Sequence, residues 1–194
     1  IPKDRVKVIL VARMLWDKGV GEFVESATVL TQQGIDADFL LVGSVDSGNP
    51  ESISAKQLEQ WNKSGVVNWL GERADIAQLL TESHIAVLPS YREGLPKSLI
   101  EAAAVGRAIV TTDVPGCREV VKDGENGFLV PAKDAKKLAV AIQKLINNPK
   151  LLTSMGKKSR LMAEQEFSIQ KVISKTLALY SKIGSDPKRD KRAG

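Results

Sequence analysis

Two sets of charged residues carry the chemistry that this chain of 194 residues can offer. Glu93 and Glu101 are separated by seven residues that include Gly94, Leu95, Pro96, Lys97 and Ser98. An apolar run over 85–89 stops at this Gly- and Pro-containing loop, and a helix-prone segment from Lys97 to Val105 follows. Pro96 suits a first helical position, because its φ is already set and it has no amide hydrogen to leave unpaired. The next free amides point out of the helix start, where they and the helix dipole favour an anion such as a phosphate. Glu93 in the loop and Glu101 in the helix flank that point. Four residues of helix rise about 6 Å, so a ligand touching both is extended, with a polar group at each end and an anion between. Lys97 and Glu101 are also spaced for an intrahelical ion pair, worth about 0.2–0.5 kcal/mol when exposed.

Arg13 and Lys18-Gly19 form the second set, directly behind the first apolar stretch. Ligands of an open parallel sheet sit beyond the carboxyl ends of its strands, which is where these cations belong, facing a diphosphate. A solvated loop with Lys18 paired to Asp17 is the alternative. Gly43, at the end of the second apolar stretch, would let backbone come close to a ligand.

The elements that must position these groups alternate. Val6–Ala12, 37–42, Val66–Leu70, 85–89, Ala108–Thr112 and Phe128–Val130 are short, apolar and bounded by turn residues, as strands buried on both faces are. Helical spacing links them over Val20–Gln33, Glu51–Asn62, Ile76–Thr81 and Lys97–Val105, with a single turn at Arg118–Val121. The expected fold is α/β, a doubly wound, Rossmann-like parallel sheet of about six strands with flanking helices. From Asp134 the pattern is helical, with breaks at Asn147-Asn148-Pro149 and an N-cap at Ser168 that starts a last helix to Ile183. Residues 184–194 are polar and charged, and are expected to be a disordered tail.

Composition narrows the class. With 43% apolar and 26% charged residues the chain reads as a soluble globular protein. No apolar run approaches the ~18 residues of a membrane span. A single cysteine, Cys117, fits a reducing compartment, so a cytoplasmic location is expected. The only histidine, His84, has no acidic or cysteine neighbour at a metal-ligand spacing and reads as structural. The net charge of +5 conceals an asymmetry: residues 1–132 hold 13 Lys and Arg against 18 Asp and Glu, and residues 133–194 hold 15 against 5. The basic part is poor in aromatics for stacking bases, so nucleic acid is not an expected partner. A solvated helix face and docking at an anionic membrane surface, such as the inner face of a cell membrane, both remain open.

Taken together, Glu93-x7-Glu101, Arg13-x4-Lys18-Gly19 and the downstream 112–119 and 123–130 segments resemble retaining glycosyltransferases of the GT-B architecture. These are the group 1, or family 4, enzymes, which use nucleotide sugars and have two Rossmann-like halves. The resemblance covers roughly Val6 to Tyr180 and places 1–183 as the nucleotide-sugar-binding C-terminal half. After Glu93 the chain has Gly94-Leu95-Pro96-Lys97 where many members have Gly-Phe-Gly-Leu. The resemblance implies Arg13 and Lys18 as catalytic cations on the diphosphate, Glu93 as a catalytic residue beside the donor sugar, and Glu101 on the ribose hydroxyls. It also implies phosphate contacts from the 95–98 amides and a base contact from Arg73, which is otherwise an exposed loop arginine. The donor expected is a UDP-sugar and the acceptor a polysaccharide, glycolipid or lipid-linked saccharide. No metal-binding Asp-x-Asp stands out, so neither metal nor cofactor is expected. An N-terminal acceptor-binding domain would be the missing partner, without which the isolated domain is expected to be inactive. A non-catalytic nucleotide-binding or regulatory α/β module is the rival reading.

Overall fold

The computed structural model describes residues 5–168 and, beyond them, residues 170, 171, 173, 174, 177 and 180. Six strands, β1 (Val6–Val11), β2 (Ala37–Val42), β3 (Asn68–Trp69), β4 (Ile85–Leu88), β5 (Ala108–Thr112) and β6 (Gly127–Val130), form one sheet in the order 3-2-1-4-5-6. Every pairing is parallel. The expected doubly wound fold is what the chain adopts. This order reverses direction between β1 and β4, where Val8 and Ile9 pair with Ile85 and Ala86. A reversal leaves the two loops at the carboxyl ends of those strands diverging to opposite faces, which opens a crevice between them.

Alternation within the strands supplies both faces with core. Val8 and Leu10 of β1, with Ala108 and Val110 of β5, join a cluster under α1 (Val20–Gln32), α2 (Ala55–Lys63) and α6 (Ala135–Ile146). Their neighbours Ile9 and Ile109 join a second cluster under α3 (Ile76–Glu82), α4 (Lys97–Ala104) and α5 (Pro115–Val120). The period of two that marks a strand is therefore used on both sides. Phe23 of α1 and Phe39 of β2 meet edge to face with centroids 6.0 Å apart, an arrangement that favours the ring quadrupoles. The last long helix, α7 (Pro149–Glu166), lies along α4 and β5.

Several boundaries differ from the sequence expectation. The helix expected from Glu51 starts at Ala55, because the Ser54 hydroxyl accepts the Gln57 amide as N-cap and holds Ser54 extended. The turn expected at Arg118–Val121 is a helix from Pro115, which takes the first-turn position that proline favours. β3 is two residues long rather than five. Pro96 is the N-cap of α4, with an extended ψ of 108°, so that Lys97 is the first helical residue. Residues 170, 171, 173, 174, 177 and 180 are helical, in line with the last helix expected. The tail over 184–194 lies outside the described residues. Among the described residues no helix is long and apolar enough to cross a membrane.

Candidate active site

A cleft of about 520 Å³ sits at the reversal point, lined by Val11, Ala12, Arg13, Lys18, Leu88, Glu93, Pro96, Lys97, Ser98 and Glu101. Seven of the eleven residues expected to form the site line it: Arg13, Lys18, Glu93, Pro96, Lys97, Ser98 and Glu101. The other four do not. Gly94 and Leu95 belong to the same loop, and Leu95 is 52% exposed. Gly43 has a φ of 147°, and a Cβ there would lie 1.8 Å from the Ala12 carbonyl oxygen. Its lack of a side chain thus admits the chain's own backbone at the end of β1. Arg73 points its guanidinium at Asp75, with contacts of 2.8 and 2.6 Å, outside the cleft lining. The Asp75 carboxylate beside it raises the pKa of Arg73.

Four features hold the cleft's charged groups in place. Lys18 ends a 3-10 turn (Trp16–Lys18) closed by Gly19, whose φ is 72°. A Cβ on Gly19 would lie 2.1 Å from the Pro89 carbonyl oxygen, so the turn is pressed against the end of β4 in a way only glycine allows. The Asp17 carbonyl then accepts the Tyr91 amide at 2.9 Å and the Ser90 hydroxyl at 3.0 Å. Thr112 of β5 donates its hydroxyl to the Ser90 carbonyl. Beyond these, Gly116 at the start of α5 lies flat against the loop: a Cβ would be 2.4 Å from the Glu93 oxygen and 2.3 Å from that of Gly94. The loop after β4 is thus pinned on one side by the 3-10 turn and on the other by α5.

The consequence is an ion pair across the cleft. Lys18 Nζ donates to Glu93 Oε1 at 2.7 Å, and the two side chains are only 20% and 11% exposed. The Asp17 partner considered for Lys18 is not the one found. Two other cations of the cleft are also paired, Arg13 with Asp46 at 2.7 Å and Lys97 with Glu101 at 3.3 Å. Both of those pairs are open to solvent on the cation side, with Arg13 58% and Lys97 88% exposed, and are correspondingly weak. The amino end of α4 lines the cleft through Pro96, Lys97 and Ser98, and the amides that begin a helix have no partner one turn back, an arrangement that suits a phosphate oxygen. One helical turn further on, Glu101 provides an acceptor for hydroxyl groups.

Sequence reasoning did not find Tyr91, Ser90 or Gly116. Tyr91 donates its hydroxyl to Glu22 of α1 at 2.6 Å, and the Lys133 ammonium sits 4.7 Å from its ring centroid. Burial and the Glu22 carboxylate push the Tyr91 phenol upward, so it stays a neutral donor that ties the loop to α1. The signal for these residues was faint: a hydroxyl-bearing pair at the end of β4 and a glycine after Pro115. His84 is structural as expected, its Nδ1 accepting the Lys7 amide at 2.9 Å. Cys117 is fully buried, and burial pushes its thiol up, so it is not a nucleophile. Among the described residues no group of three or more His, Cys, Asp or Glu is placed to hold a metal ion. A larger hollow of about 630 Å³ lies at the opposite ends of the strands, between Arg107 and α7, and contains none of the motif residues.

A sequence model of the family described as glycosyl transferases group 1 matches residues 1–162, which include all of this cleft. The chain belongs to that family. Its motif residues, Arg13, Lys18, Glu93 and Glu101, fall within the match and converge in one crevice. The chain is 41% identical over 176 residues to the N,N'-diacetylbacillosaminyl-diphospho-undecaprenol alpha-1,3-N-acetylgalactosaminyltransferase of Campylobacter jejuni, covering 91% of this chain and 44% of that protein. HepE of Anabaena, solved in complex with UDP, superposes with a TM-score of 0.82 at 23% identity, covering 92% of this chain and 49% of that one. A mutant of TarM from S. aureus, solved with UDP among its ligands, superposes with a TM-score of 0.78 at 25% identity, covering 92% and 36%. The chain spans about half the length of the curated relatives it matches.

Proposed function

We propose that this group 1 glycosyltransferase domain binds a UDP-sugar in the β1/β4 cleft, and that it is the donor half of an enzyme transferring the sugar with retention. The observation that carries the reading is the placement of Lys18 opposite the open amino end of α4, with Glu101 one turn along. Lys18 and Arg13 neutralise the diphosphate, and because charge grows on it as the sugar departs, they act most strongly in the transition state. Amides at the start of α4 hold phosphate oxygens. Glu101 accepts hydrogen bonds from the ribose, and Glu93 lies where the sugar begins. Two cations and a helix end suffice for the charge of the leaving group, so this reading needs no metal. The uridine carrier is supported by UDP in the S. aureus TarM complex. A lipid-linked saccharide acceptor is supported by the C. jejuni relative, whose substrate is diphospho-undecaprenol-linked. The acceptor site belongs to a further domain, since the relatives are about twice as long.

Thermal unfolding with UDP, GDP and ADP tests this. UDP at about 100 times its Kd adds about 2.7 kcal/mol to stability by mass action, so it should raise Tm more than GDP or ADP at the same concentration. Equal shifts would overturn the uridine assignment, and no shift with any of the three would overturn donor binding. With UDP-sugar and a saccharide acceptor, the 194-residue chain alone should show no multiple-turnover transfer, because this reading assigns the orienting of an acceptor hydroxyl at the anomeric carbon to the further domain.

The basic C-terminal stretch is read as a docking surface for an anionic membrane. Ile173, Leu177 and Tyr180 recur at helical spacing and are 52%, 59% and 66% exposed, an apolar stripe within a Lys-rich segment. Flotation with vesicles should retain the chain on anionic lipid at low salt, at about 1 kcal/mol per basic residue reaching the surface. Equal retention on neutral and anionic vesicles would contradict it.

A further inference from the structure

We propose that Glu93 is a latch on the diphosphate subsite: by holding Lys18 it makes the cleft favour an intact nucleotide sugar over the free nucleoside diphosphate. The inference rests on the donor reading above and assigns Glu93 a role in nucleotide affinity, exerted through Lys18. Three observations carry it. Lys18 and Glu93 are in direct contact at 2.7 Å, and both line the cleft. At 20% and 11% exposure this is the most secluded ion pair among the described residues. Neither partner's backbone is free to retreat, since Gly19 is pressed on Pro89 and Gly116 on the Glu93 and Gly94 carbonyls.

A phosphate that takes up Lys18 must displace the Glu93 carboxylate. The displaced group stays in a place where little water reaches it, and a carboxylate there needs new donors. A sugar attached to the diphosphate brings hydroxyl groups to that side of the cleft. Free nucleoside diphosphate brings none, so the carboxylate that has given up Lys18 is left without donors. The exchange of partners is therefore nearly balanced for the donor and unbalanced for the free nucleotide. After transfer the same imbalance favours release: Glu93 loses its sugar donors and returns to Lys18 as the nucleotide leaves.

Titration calorimetry of the chain and its variants with UDP and UDP-glucose tests the latch. Glu93→Gln keeps the shape and removes the charge that holds Lys18. It should tighten UDP about 5- to 10-fold, leave UDP-glucose unchanged or weaker, and so collapse the preference for the sugar nucleotide. In a Lys18→Met background the same change should no longer tighten UDP. UDP binding that Glu93→Gln leaves unchanged or weakens would overturn the latch while the donor reading stands. A gain that persists in the Lys18→Met background would also overturn it, because Glu93 would then act by plain repulsion. Failure of the unmutated chain to bind either ligand would overturn the donor reading and the latch together. Circular dichroism melting of each variant separates a lost fold from a lost site, and Glu93→Asp, which shortens the reach to Lys18, should behave as an intermediate.

Discussion

Lys18→Met is expected to weaken UDP by roughly 10- to 100-fold, the loss of one charge-assisted contact of about 1.5–3 kcal/mol. The change removes the most sheltered cation of the cleft. Arg13 is 58% and Lys97 88% exposed, so salt and water screen them, whereas Lys18 at 20% is screened far less. The variant also leaves Glu93 without its partner at 11% exposure, which costs stability as well as affinity. Two readouts separate these effects. Tm without ligand should fall modestly, and the salt dependence of UDP binding should become shallower, because one phosphate neutralisation has gone. Arg13→Met, by contrast, removes a cation already engaged with Asp46 at the rim and should cost only a few-fold.

Glu101→Gln is expected to weaken UDP and UDP-sugar equally, by about 10-fold or more, since hydrogen bonds from ribose hydroxyls to a carboxylate are worth about 1.5–3 kcal/mol. The ribose is common to both ligands, so the ratio between them should not move. That pattern is opposite to the one expected at Glu93. The fold should tolerate the change: Glu101 is 39% exposed, and its contact with Lys97 is a solvent-facing pair within one helix at 3.3 Å. Calorimetry with the two ligands reads the ratio directly. A Glu101 variant that lost UDP-sugar but kept UDP would exchange the assigned roles of the two carboxylates.

Much of this site is legible in the sequence because its residues are local to two loops. The Arg13-x4-Lys18-Gly19 and Glu93-x7-Glu101 spacings follow apolar strands directly, and strand ends are where a doubly wound sheet places ligands. What escaped the sequence is the contact between the loops. Lys18 and Glu93 are 75 residues apart, and their pairing follows from β1 and β4 being neighbours, which the order of elements does not state. The same is true of Gly116, whose need for a bare Cα comes from the Glu93 and Gly94 carbonyls of another segment. Arg73 escaped for a local reason: Asp75, two residues on, captures its guanidinium. Helix starts shifted where a polar cap outranked periodicity, as at Ser54, or where a proline moved one place from helix to cap, as at Pro96.

Amide chemical-shift mapping of the 21.0 kDa chain during titration with UDP locates the ligand without relying on any variant. Saturable shifts are expected in two clusters only, Ala12 to Gly19 at the end of β1 and Glu93 to Glu101 from the β4 loop into α4. The opposite hollow, lined by Arg107, Lys157 and Arg160, should stay silent. Saturable shifts centred on that hollow, with Lys18 and the first turn of α4 unmoved, would contradict the assignment of the β1/β4 cleft as the nucleotide site.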